Sequence, residues 1–110
     1  MKLLTKEIRG KIPKIKATDG VPLEEKVVVV KFFDPTGSWT WYAVEGEAVL
    51  DDAGNEVDYE FFGLVDGLEK EWGYWTLNQL KEAKRGIKGL QSLPIERDLN
   101  YTGVKIKDIR

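Results

Sequence analysis

The sequence predicts an α+β fold: one antiparallel sheet of four to six strands with two short helices packed on it. Three observations carry that prediction. Residues 26–33, KVVVVKFF, form a β-branched and aromatic run that suits a pleated surface. Turn signals recur between alternating segments, at Asp34-Pro35-Thr36-Gly37, at Asp51 to Glu56 and at Asp66-Gly67. Helix signals are confined to two short stretches, each opened by a threonine. The 110 residues suit a single domain over 1–110, and no repeat or low-complexity tract divides them.

Each element follows in order. Thr5 caps a helix over about 6–12 that aligns Ile8 with Ile12, and Pro13 stops it. Pro13, Gly20 and Pro22 make residues 13–25 an extended connection. In the strand 26–33, Val28, Val30 and Phe32 share one face, and Val29, Lys31 and Phe33 the other. Pro35 presets φ for the next turn, where Gly37 suits a left-handed conformation. Residues 38–45 return as a strand with Trp39, Trp41 and Ala43 on one side and Thr40, Tyr42 and Val44 on the other. Residues 47–65 read as a second hairpin with a polar tip, and Gly63 marks a bulge or close packing beside a tryptophan. Residues 71–76 add a strand or an irregular edge. Thr76 and Gln79 have the spacing of a capping box for a helix over about 77–85, with Leu77, Leu80 and Lys84 aligned and Gly86 as its stop. Residues 86–94 are a loop, and 94–99 are extended with Ile95, Arg97 and Leu99 on one face. Residues 104–108 alternate as an edge strand whose lysines discourage edge-to-edge pairing.

Composition narrows the chemistry. The chain has neither His nor Cys, which removes the usual general base, thiolate nucleophiles, disulfides and Cys-based zinc sites. Neither a phosphate-binding P-loop nor a nucleophile elbow is present. No cofactor is implied. The longest apolar run, Val27 to Val30, is far below the roughly 20 residues of a membrane span, so no membrane association and a cytoplasmic location are expected. The net charge of -2 conceals a strong segregation: residues 1–16 carry +5, residues 17–80 carry -11 and residues 81–110 carry +4. Either the basic ends fold back on the acidic middle as surface pairs, or they converge into a patch that touches phosphates. A third reading makes the acidic middle a mimic of a nucleic-acid backbone.

Several segments together resemble a known family. They are KLLT at the start, the FF-x-P-x-GSWTWY segment (32–42), FFGLVDG (61–67), Glu69, Glu71, Gly73 and Tyr74, and LPIERDL (93–99). Their order over nearly the whole chain resembles small bacterial proteins grouped only as a domain of unknown function. GYWTL at 73–77 departs mildly from the GYFSL usual there. The resemblance implies a setting, that of accessory proteins of plasmids, conjugative elements and phages. It implies no activity, ligand or catalytic residue.

Two constellations remain as candidate sites. Trp39, Trp41, Tyr42, Trp72, Tyr74 and Trp75 are either core or a recognition surface, with Tyr42 or Trp75 expected to be exposed. Glu69, Glu71, Glu96 and Asp98 form the best acidic set, whether as a divalent-metal site or as carboxylates bridged by Arg97. No metal ligand is assigned. The leading reading is a non-enzymatic protein-binding module with a protein partner. The alternatives are a nucleic-acid binder using its basic ends and exposed aromatics, and a metal-dependent enzyme using the carboxylates. Exposed rings or an open sheet edge also suit a homodimer.

Overall fold

The computed structural model describes residues 2–83, 94–99, 101 and 103–109. Its elements are α1 (Lys6–Lys11), a 3-10 turn (Leu23–Glu25), β1 (Val27–Val28), β2 (Val30–Phe33), β3 (Thr40–Leu50), β4 (Glu56–Asp66), β5 (Lys70–Thr76), α2 (Leu77–Glu82), β6 (Glu96–Arg97), β7 (Val104–Lys105) and a 3-10 turn (Ile106–Asp108). Five strands form one antiparallel sheet in the order β5-β4-β3-β2-β6, and β1 pairs with β7 in a two-stranded sheet of its own.

The long hairpin of β3 and β4 is the spine. The alternation that starts at Trp39 does not end at Glu45; two expected strands are one, because Gly46 sits inside the ladder rather than at a turn. Gly46 has no side chain to collide with Tyr59 and Ile12, and its N–H donates to the Pro13 carbonyl at 2.8 Å. The polar tip forms as the sequence suggests. Asp51 Oδ1 accepts from the N–H groups of Ala53 and Asn55, and Gly54 takes a left-handed φ of 84°.

Both faces of the sheet are covered. On the helix face, Val30, Phe32, Ala43, Tyr59, Phe61 and Trp75 pack against Leu3, Leu4, Ile8, Ile12, Leu80 and Ile95. Thr5 caps α1 by accepting from Ile8 N, and Thr76 and Gln79 form a complete capping box on α2. On the far face, Val28, Tyr42, Val44, Leu64 and Ile106 close a second, smaller core. Val28 therefore parts from Val30 and Phe32, with which it was expected to share a face. The run 26–33 breaks at Val29, and β1 leaves the large sheet to meet β7.

The ladder of β3 on β4 changes parity twice, once near the hairpin tip between Val49 and Leu50 and once in mid-sheet. Between Ala43 and Glu45 the register of β3 on β4 shifts by one residue. Opposite the shift lies Gly63, where an added Cβ would fall 1.8 Å from the Tyr42 carbonyl oxygen. The close neighbour of Gly63 is thus β3 backbone and not a tryptophan. The slip leaves Gly46 and Ala48 on the helix face and directs the Glu45 carboxylate into the connection 13–20. That connection is a series of turns, not extended chain, and it wraps the carboxylate. Glu45 Oε1 accepts from Lys16 N at 2.8 Å, and Oε2 accepts from Thr18 N at 3.1 Å and from the Thr18 hydroxyl. Lys16 takes a left-handed φ of 70° that turns these N–H groups inward. Lys26 donates to the Thr18 hydroxyl and carbonyl, and its ammonium stands 3.7 Å from Glu45 Oε2. Both charged side chains are buried.

Other expectations need smaller corrections. Gly37 is not left-handed; its missing side chain makes room for the Asp34 carboxylate, which a Cβ would approach to 2.6 Å. The C-terminal edge strand is two residues long before the chain tightens into a 3-10 turn. The expected alignment of Lys84, the stop at Gly86 and most of the loop at 86–94 lie outside the described residues.

Gly63→Ala is expected to destabilise the protein by about 3 kcal/mol or more, the upper range of overpacking strain, measured by urea denaturation. Burial alone would raise the Glu45 carboxyl, but Thr18, the N–H groups of Lys16 and Thr18, and Lys26 outweigh it and hold it below the ordinary carboxylate value. A group depressed on folding contributes fully above its unfolded value and loses that contribution as pH falls through the folded one. Glu45→Gln is therefore expected to cost about 3–5 kcal/mol at neutral pH by leaving Lys26 uncompensated. It should also flatten the acid limb of the stability–pH curve in a denaturation series below the ordinary carboxylate range.

Candidate functional site

Antiparallel order brings two turns to the same end of the sheet: residues 34–39 between β2 and β3, and residues 67–69 between β4 and β5. The first is closed by Asp34 N donating to the Trp39 carbonyl and by Asp34 Oδ1 accepting from Thr36 N. The second is closed by Gly67 N donating to the Glu69 carbonyl, with Asp66 paired to Lys70. Thr40 pairs with Asp66, so the turns are neighbours.

Trp39 lies between them. A Cβ on Gly67 would fall 2.5–2.6 Å from three consecutive carbons of the Trp39 six-membered ring, which is an approach to the ring face. The indole therefore rests on the glycine backbone. Trp41 flanks it with ring centroids 6.1 Å apart. Trp39 remains 41% exposed, and Leu68 beside it is 94% exposed. With Val65, Glu69 and Glu71 they line an open cleft of about 300 Å³. Val65 and Trp41 pair across the ladder, as do Val65 and Glu71, so the cleft continues the helix face beyond the helices. Among the described residues, no cation stands within ion-pair distance of Glu69 or Glu71. Lys70, between them in sequence, borders a different hollow with Leu64 and Trp72.

The four carboxylates do not meet. Glu69 and Glu71 belong to the β5 edge, and Glu96 and Asp98 to the β6 edge, four strand spacings or roughly 19 Å away. No group of metal-ligating side chains occurs among the described residues. Glu96 and Arg97 instead pair with Phe33 and Phe32, Arg97 Nε donates to the Lys2 carbonyl at 3.2 Å, and Asp98 lies 3.9 Å from Lys31.

The two rings expected to be exposed are buried. Tyr42 packs on Tyr101 in the smaller core, and burial, with Tyr101 and Asp66, holds its phenol above the ordinary value. Trp75 stacks on Phe61 at 5.7 Å, and its indole N–H has no partner among the described residues. The exposed rings are Trp39 and, on the far face, Tyr74. Alternation shows which residues share a face but not how far the helices extend over it. The signal for Trp39 was its place next to a turn.

The basic ends do reach the acidic middle. Arg9 forms two bonds to Glu56 at 2.6 and 2.7 Å, and Lys105 and Lys107 both hold Glu25. Glu25 and Glu56 are held below the ordinary carboxylate range, chiefly by these hydrogen bonds. A larger cavity, about 730 Å³, lies among Leu3, Leu4, Leu77, Leu80, Pro94 and Ile95. Between α2 and Pro94 the chain passes through residues outside the described set, and the cavity carries no assignment.

The family model for a protein of unknown function, DUF2958, matches residues 3–106. The chain belongs to the DUF2958 family. No curated protein and no solved structure matches it. The DUF2958 match spans the spine, both cores and the cleft, and its description assigns none of them a role.

Gly67→Ala tests the seat of Trp39. The backbone at Gly67 is open to alanine, so the expected effect is displacement of the indole at a cost of about 1 kcal/mol. In a nitrogen-15 correlation spectrum, the Trp39 indole N–H signal should shift while those of buried Trp75 and half-buried Trp72 hold.

Proposed function

We propose that this chain is a non-enzymatic protein-binding module that docks through the cleft at the turn end of its sheet. One observation carries the reading. Trp39 and Leu68 are presented to solvent on two braced turns, next to carboxylates that pair with no cation among the described residues. Docking sites concentrate their affinity in a few such anchors, and tryptophan is prominent among them. The cell setting belongs to the same proposal. The family resemblance suggests an accessory protein of plasmids, conjugative elements or phages, acting on a host protein or on one encoded by the element. The ion pairs of Arg9, Lys105 and Lys107 favour this reading over nucleic-acid binding, because those cations already serve carboxylates.

A photo-crosslinking residue replacing Leu68 tests it, with Val57 on the far hairpin arm as control. In cells carrying the element, a discrete protein adduct is expected from position 68 and not from position 57. Equal or absent labelling at the two positions would remove the reading. Leu68→Ser should change stability by no more than about 0.5 kcal/mol, since the side chain is almost wholly solvated. A normal melting temperature would confirm that loss of binding in this variant is a surface effect.

A further inference from the structure

Resting on the docking reading above, we infer that the cleft takes a cationic side chain, best an arginine, set beside an apolar residue in an exposed segment of the partner protein. The argument begins with how the indole is held. One face of Trp39 lies on Gly67, and Trp41 stands at its flank. Its remaining exposed surface is presented by a ring that cannot swing inward. A rigid, half-solvated indole is the best aromatic surface for a cation.

Charge points the same way. Glu69 and Glu71 line the cleft with Trp39, Val65 and Leu68. Several carboxylates are held by cations of the chain, Glu45 by Lys26, Glu56 by Arg9 and Glu25 by Lys105 and Lys107, whereas Glu69 and Glu71 line a hollow beside an exposed indole with no such cation among the described residues. An acidic or phosphorylated segment would meet like charge in the cleft. A purely apolar one would bury two carboxylates without compensation, which is costly. A guanidinium satisfies both demands, because it stacks on an indole and donates to a carboxylate in one plane. Leu68 and Val65 supply the apolar contact for the neighbouring residue.

The chemistry favours a protein segment over a nucleic acid. Bases would stack on Trp39 equally well, but their phosphates would lie against Glu69 and Glu71. It also favours a partner in trans over a second copy. The described arginines are engaged in their own chain, Arg9 with Glu56 and Arg97 with the Lys2 carbonyl, so a second copy would offer lysines but none of these guanidinium groups.

A random-peptide phage library panned on the intact protein, with parallel panning on Trp39→Ala, tests the inference. Peptides lost on Trp39→Ala should share an arginine or lysine next to an aliphatic or aromatic residue. For a synthetic winner, replacing arginine by neutral citrulline should weaken binding about tenfold or more, the scale of a charged hydrogen bond. Glu69→Gln with Glu71→Gln should do the same, and added salt should weaken the wild-type complex. Trp39-dependent peptides that lack a cation, or that ignore citrulline, would overturn the cationic ligand and leave docking at the cleft intact. No Trp39-dependent peptide at all would overturn both. Oligonucleotides that shift the Trp39 indole signal, or a dimer that Trp39→Ala dissolves, would equally overturn the cationic segment.

Discussion

The structure depends on one buried carboxylate. Glu45 sits where the register of β3 slips on β4, and the slip directs it into the connection 13–20. An isolated charge there would be expelled by its desolvation cost. It is retained because two backbone N–H groups, a hydroxyl and the Lys26 ammonium converge on it. The same contacts fix residues 16–18 and bring Pro13 onto Gly46. With Pro13 fixed, α1 is held against Tyr59 and Phe61, and the helix-face core closes. A polar group thus determines where an apolar core can form. Gly63 is the other half of the constraint, since only a residue without Cβ lets the Tyr42 carbonyl approach it.

Much of this was legible in the residues. The threonine caps of both helices, the capping box at Gln79, the polar tip at Asp51 and the alternation of Tyr59 and Phe61 are local signals, and local signals survive folding. The break at Val29 was hidden because a run of four valines reads as one strand whichever sheet each half joins. The parity change at Glu45 was hidden because a glutamate in a strand ordinarily points to solvent. Its burial is decided by residues 16–26, a tertiary fact.

The candidate site was legible in kind but not in place. Glu69 and Glu71 belong to the cleft, while Glu96, Arg97 and Asp98 belong to the opposite edge and serve the sheet and the start of the chain. Tyr42 and Trp75 went to the two cores, and Trp39 took the exposed position. Counting aromatics finds the cargo. Deciding which ring stays outside needs the turn that supports it, and that support is the bare backbone of Gly67.

The strand order has a kinetic meaning. β3 finds β4 across a five-residue tip, and short turns bring β2 and β5 to its sides. β2 meets β6 only through pairs such as Phe32 with Arg97, and β1 meets β7 through Val27 with Lys105. Closing such long stretches costs more chain entropy than closing a hairpin. The acidic central meander is therefore positioned to assemble before the C-terminal strands arrive. On this entropic argument, the seating of those strands along the β2 edge and over the smaller core is expected to come last.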